Sequence, residues 1–155
     1  MAKQRDAIRM SEAETDAFLE EAQSLQVATI GKDGAPHLTT VWFALKDGDI
    51  LFETYGKSQK VMNLRRDARI AVLAEAGTTY ETLRGVSING RARIVEENPE
   101  RTELMGFLLK HHFPDVPDDQ LGPMTERMAQ KRVVIVVSPE KVMSWDHRKL
   151  EGKGP

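Results

Sequence analysis

The 155-residue sequence contains no cysteine. That excludes a disulfide framework, an iron–sulfur cluster, a thiolate zinc site and a Cys nucleophile. Long apolar runs are missing as well. The longest aliphatic run spans residues 133–137, far short of the roughly 20 residues a membrane-crossing helix needs. There is no excess of one charge: 22 Lys+Arg stand against 24 Asp+Glu, a net charge of -2. A generic nucleic-acid binder, which needs a basic surface for phosphates, is therefore not expected. The opening MAKQRDAIRM lacks the apolar stretch of a secretory signal, so a cytoplasmic protein is expected. No HExxH or His/carboxylate array, no Gly-x4-Gly-Lys loop and no G-x-S-x-G elbow occurs, which argues against a metal hydrolase, a Walker-type nucleotide site and an elbow-type hydrolase. What is left is 40% apolar and 30% charged, a soluble globular composition. Without repeats or linkers, residues 1–155 read as a single domain.

Ser11 with Glu14 three residues on is a capping-box pattern, and Ala13, Ala17, Phe18, Ala22 and Leu25 recur at helical spacing. Residues 27–30 (VATI), 37–45 (HLTTVWFAL) and 50–54 (ILFET) read as strands rich in β-branched and aromatic residues. The turn signals Gly31-Lys32-Asp33-Gly34 and Asp47-Gly48 between them predict hairpins. Ser58 is the expected cap of a short helix over 58–66. Further strands are expected at 69–74, at 82–95 with a bulge or turn at Gly90, at 133–137 and at 141–145. Asn98-Pro99 predicts a helix start with Asn as cap, and a second short helix follows near 124–130. About seven strands and three or four helices, with no β-α-β alternation, point to a mainly β, antiparallel barrel with peripheral helices.

Three segments carry candidate chemistry. Lys57, Ser58 and Lys60 place two ammonium groups and a hydroxyl at a helix start, where unpaired N–H groups and the helix dipole favour an anion. This makes a plausible phosphate cradle, although a Lys-rich turn before a helix is often only solvated. Strand residues Thr39, Thr40, Val41, Trp42 and Phe43 carry bulk on both faces. One face belongs to the core; the other needs more structure, a second subunit or a flat ligand. Ser144-Trp145-Asp146-His147-Arg148-Lys149 is either a polar tail or a dimer or ligand contact. His111-His112 is explained by its place at a helix C-terminus.

The runs Gly34-Ala35-Pro36-His37, 39–43 and 57–67 together resemble the pyridoxamine 5′-phosphate oxidase-like split β-barrel superfamily. The 58–67 stretch, the Gly90-Arg91-Ala92 strand and residues 144–150 are similar, more narrowly, to the flavin/deazaflavin oxidoreductases that use coenzyme F420. Ala68 stands where the family often has Pro. The resemblance implies an FMN-binding split barrel, a homodimer and a cofactor groove between subunits. It implies an F420-dependent reductase passing a hydride to an electron-poor organic substrate. The alternatives are an FMN-binding oxidoreductase and a non-catalytic F420 carrier. In that frame the cofactor ring lies along Thr39–Trp42, and Lys57, Ser58 and Lys60 hold the phosphate, braced by Asn63. Tyr80, Trp145 and Lys149 are expected to reach over from the partner subunit. No catalytic residue and no metal ligand is assigned, and Tyr80, His37 and solvent are all candidate proton donors.

Overall fold

The computed structural model describes residues 4–150. Five helices, α1 (Gln4–Ala7), α2 (Glu12–Glu21), α3 (Gln59–Arg66), α4 (Glu100–His112) and α5 (Asp118–Ala129), surround seven strands. These are β1 (Ser24–Ile30), β2 (Pro36–Trp42), β3 (Ala44–Lys46), β4 (Asp49–Tyr55), β5 (Arg69–Ala76), β6 (Arg84–Val95) and β7 (Arg132–Asp146). All pair antiparallel in one sheet of order β2-β1-β5-β6-β7-β4-β3. Among the described residues no helix is long and apolar enough to cross a membrane.

The sheet curls. β1 and β4 are separated by three strands in the order, yet Val27 and Phe52 share one buried core with Val72, Ile88 and Ile135. Only a sheet rolled toward a barrel brings both ends onto one interior. Helix α3 caps that interior with Val61 and Leu64. A second core lies on the outer side of β4 and β7, where Leu51, Val134 and Val136 meet Met105, Leu108 and Leu109 of α4. The five consecutive aliphatics at 133–137 are thereby explained: Val133, Ile135 and Val137 face the barrel, Val134 and Val136 face the helices.

The Ser11–Glu14 capping box forms, with Glu14 N–H donating to Ser11 Oγ at 3.1 Å and Ser11 N–H donating to Glu14 Oε2 at 3.2 Å. The bulge expected at Gly90 is present as a register shift between Asn89 and Gly90. A Cβ on Gly90 would stand 2.3 Å from the Ser138 carbonyl oxygen, so the close approach of β7 requires glycine there. Strand boundaries differ from expectation in two places. The 37–45 stretch breaks at Phe43 into β2 and β3, because Phe43 turns fully into the core. The 133–137 and 141–145 stretches are one long strand, β7, bent at the bulge. Helix α4 starts one residue later than expected, behind Pro99, and Asn98 accepts from Arg101 Nε at 3.3 Å instead of capping it. Helix α5 starts at Asp118, a turn and a half earlier than the apolar pattern indicated.

Candidate functional site

β2 is an edge strand, and its residues alternate cleanly. His37, Thr39 and Val41 point toward the interior and are half-buried; Leu38, Thr40 and Trp42 point outward and are exposed. Between β2 and β4 the curled sheet leaves a groove of about 430 Å³, within the roughly 300–1,000 Å³ range of small-molecule sites. Thr40, Val41 and Trp42 form one wall. Glu53, Thr54 and Tyr55 of β4 form the other, with Arg132 of β7 beside them. Lys60 lies at the base, and the end of α4 with Met124 and Met128 of α5 closes the outer side.

Lys60 is half-buried, and no ion pair among the described residues includes it. Burial pushes its ammonium below the ordinary lysine value, and the Glu53 carboxylate holds it up in part. Lys60 sits in the first turn of α3, where the helix dipole adds positive potential. A cation so placed, without a protein counter-charge in contact, is suited to an anion entering the groove.

The other members of the expected cradle do different work. Ser58 caps α3 as expected, accepting from Val61 N–H at 3.4 Å, and its hydroxyl is also met by Thr54 Oγ at 3.4 Å. Lys57 is exposed outside the groove. Asn63 does not line the groove. It is fully buried, donates to Thr29 Oγ at 3.0 Å, and its Oδ1 accepts from Gln59 at 2.8 Å and Arg66 at 2.6 Å. Its role is to seat α3 on β1, which fixes where Lys60 stands. Arg65 of the same helix is held by Glu96, and Asp67, just after the helix, is clamped by Arg69, whose hydrogen bonds lower its carboxyl to about 2.

Tyr80, Trp145 and Lys149 gather elsewhere. Trp145 packs against Gly85, directly opposite it in the β6–β7 pairing; a Cβ on Gly85 would come within 2.2 Å of the indole. Tyr80 stacks edge-on to His147, with ring centroids 4.6 Å apart, and its carbonyl lies 2.8 Å from His147 Nδ1. Lys149 is occupied within its own chain, donating to the Arg9 carbonyl at 2.8 Å and pairing with Glu14 at 2.5 Å. The 144–150 segment is thus built into the fold, ending on buried Leu150. Within one chain these residues line no part of the β2–β4 groove.

Among the groove residues to which the sequence reading gave no part in the site are Glu53, Tyr55, His112 and Arg132. His112 ends α4 as expected and also lines the groove, its ring tilted 53° to that of Trp42 with centroids 5.6 Å apart. Burial, then the neighbouring His111, lowers its imidazole below the ordinary value, so it is neutral at pH 7. Arg132 Nη1 donates to both Glu53 carboxylate oxygens at 2.7 Å, its Nη2 donates to Tyr55 Oη at 3.1 Å, and its guanidinium lies 4.3 Å from the Tyr55 ring centroid. These contacts follow from the Tyr55–Arg132 strand register.

A separate cavity of about 970 Å³ lies beneath α2 and the β3–β4 turn. Its lining mixes Arg5, Arg9 and Lys141 with Glu12, Asp16 and Asp47, and of the 144–149 segment it holds only Ser144, with none of the residues expected to hold the cofactor. The smaller β2–β4 groove, with its single uncompensated cation, is the better anion site.

The family model described as pyridoxamine 5′-phosphate oxidase matches residues 11–146. The chain belongs to that family. Within this split-barrel family it is similar to the conserved hypothetical protein Rv2991 from Mycobacterium tuberculosis, with 44% identity over 99% of this chain and 96% of that one and a TM-score of 0.90. It is similar in fold to an F420 reductase, at 23% identity, a TM-score of 0.63 and coverage of 82% and 94%. A FAD-binding protein from Mesorhizobium loti shares the fold at 17% identity, with a TM-score of 0.61 and coverage of 87% and 92%. No curated protein matches the chain.

Proposed function

We propose that this protein is an F420-dependent oxidoreductase whose deazaflavin lies in the β2–β4 groove. The observation that carries the reading is Lys60: a half-buried ammonium, lacking an ion-pair partner among the described residues, at the first turn of α3 and the base of a ligand-sized groove. Lys60 would anchor the phosphate. The free edge of β2 from Thr39 to Trp42 would offer backbone groups and hydroxyls along the rim of the ring. Trp42, His112 and Phe113 form an aromatic wall open to solvent, against which a flat acceptor can stack. When bound, the deazaflavin supplies a hydride from its ring carbon C5. The similarity to an F420 reductase and to a FAD-binding protein supports a flavin-like ligand.

The active form is a homodimer in this reading. The outer face of β2 carries Leu38 (68% exposed) and Trp42 (48% exposed), and the end of α4 reaches it at Trp42. A second copy laid on this face would cover them; Tyr80 and Trp145, which line no part of the groove within one chain, are the residues this reading assigns to the partner, and Lys149, held by Glu14, is left out. Parallel fluorescence titrations with F420 and with FMN test the assignment. Saturable F420 binding that exceeds FMN binding supports it. Preferential FMN binding, with the protein purifying yellow, replaces it with the flavin alternative. F420 binding without oxidation of the reduced cofactor by a panel of enones makes the protein a carrier.

A further inference from the structure

The lining of the β2–β4 groove contains one carboxylate and two permanent cations. Glu53 is matched by Arg132, which holds both of its oxygens at 2.7 Å and is itself fixed on the Tyr55 ring. Lys60 is left as the one unmatched charge of the lining, because His112 is neutral at pH 7 and Lys57 lies exposed outside it. The groove therefore offers an entering anion a net charge of one. Phosphate esters differ in what they require. A phosphomonoester carries about −1.5 to −2 at neutral pH, because its second ionisation lies near 6. A phosphodiester has no second ionisable oxygen and carries a single negative charge.

We propose that the Glu53–Arg132 pair selects the phosphate ester, matching the groove to a monoanionic phosphodiester and against a dianionic phosphomonoester. This rests on the cofactor reading above and deepens it. F420 is of the diester class, with its phosphate continuing into a tail, whereas FMN ends in a monoester. Glu53 acts by withholding Arg132: with its carboxylate in place the guanidinium is already neutralised, and a second negative charge on the ligand meets no second free cation. Its closeness to Lys60 adds repulsion toward a dianion.

The test is the ratio of F420 to FMN affinity, measured by fluorescence quenching in wild type and three variants. Glu53→Gln keeps the shape of the wall and releases Arg132. It should improve FMN binding relative to F420 by about tenfold or more, since one charge within a few ångströms moves an ionic equilibrium by that order. The gain should fade as salt is raised. The double variant Glu53→Gln/Arg132→Gln restores a net charge of one and should restore the wild-type ratio. Glu53→Asp keeps the charge and should leave the ratio near wild type, which guards against reading a folding defect as selectivity. An unmoved ratio in Glu53→Gln, or a double variant that retains the FMN gain, overturns the proposal while leaving the cofactor site intact. Wild-type protein that binds neither cofactor overturns both.

Discussion

Asn63 of α3 donates its side-chain amide to Thr29 Oγ of β1 at 3.0 Å, and both residues are buried. This bond joins the helix that carries Lys60 to the strand beside β2, so the two halves of the proposed site are set by one buried polar contact. Replacing Asn63 by Ala leaves Thr29, Gln59 and Arg66 without their partner. Stability should fall by roughly 1–3 kcal/mol, the cost of an unsatisfied buried polar group, read from the urea midpoint at unchanged slope. F420 affinity should fall with it, because Lys60 sits one turn earlier on the same helix. Full stability in Asn63→Ala would show that the contact does not hold α3.

Lys60 and Lys57 separate the buried anion contact from the solvated one. Lys60→Ala should weaken F420 binding by about 1–3 kcal/mol, the range for a charge-assisted hydrogen bond. Lys57→Ala should cost less than about 1 kcal/mol and lose even that at high salt, since an exposed charge is screened. Equal effects from the two variants would move the phosphate out of the groove and onto the surface turn.

The architecture was legible where local pattern and tertiary environment agree. The capping box at Ser11 and the Ser58 cap depend on residues within a few positions of each other, and the Gly90 bulge shows as a glycine inside an alternating strand although it is the approach of β7 that requires it. The barrel itself followed from strand count and turn chemistry. The site was legible only in part. Lys60 and Thr40–Trp42, singled out in the sequence, line one groove, because a charge at a helix start and an amphipathic edge strand leave a trace in sequence. Arg132 was not, because its contact with Glu53 spans 79 positions and arises from strand register. The place of His112 in the groove was not legible for a related reason: a histidine at a helix end looks the same whether it faces water or Trp42. Asn63 falls on the helical face three residues beyond Lys60, and spacing alone does not tell a ligand contact from a bond to Thr29.

His112 gives the groove a pH response. Burial, then His111, holds its folded-state value below the ordinary 6.5. The unfolded chain therefore binds this proton more readily than the folded one. Its contribution to stability is full above the unfolded value and declines as pH falls through that value toward the lower folded one. An anion bound beside Lys60 favours the imidazolium, so F420 should raise the His112 value, and binding should tighten as pH falls from 7 toward 5. The histidine Cε1–H resonances, followed by NMR with and without F420, read both effects. The acid-side tightening should vanish in His112→Gln. A His112 midpoint at or above 6.5 in the free protein would contradict the burial the structure gives it.

The outer face of β2, β1 and β5 sets the last prediction. Leu38, Ala28 and Ala71 stand side by side across these three strands, so they share one face, and Leu38 is 68% exposed in the single chain. Gln26, in the next row with Thr40 and Leu73, has a buried side-chain oxygen without a partner. An edge strand with exposed apolar side chains is a pairing hazard unless it is covered, and a stable dimer buries about 1,600 Å² in total. Sedimentation velocity should therefore give a dimer. Leu38→Glu places two like charges near the centre of the contact and should yield a folded monomer with unchanged far-UV circular dichroism. If the second copy completes the groove, that monomer should also lose most of its F420 affinity, although Leu38 itself does not line the groove. A monomeric wild type that binds F420 as tightly as the proposal requires would confine the cofactor to one chain and leave Tyr80 and Trp145 without a part in holding it.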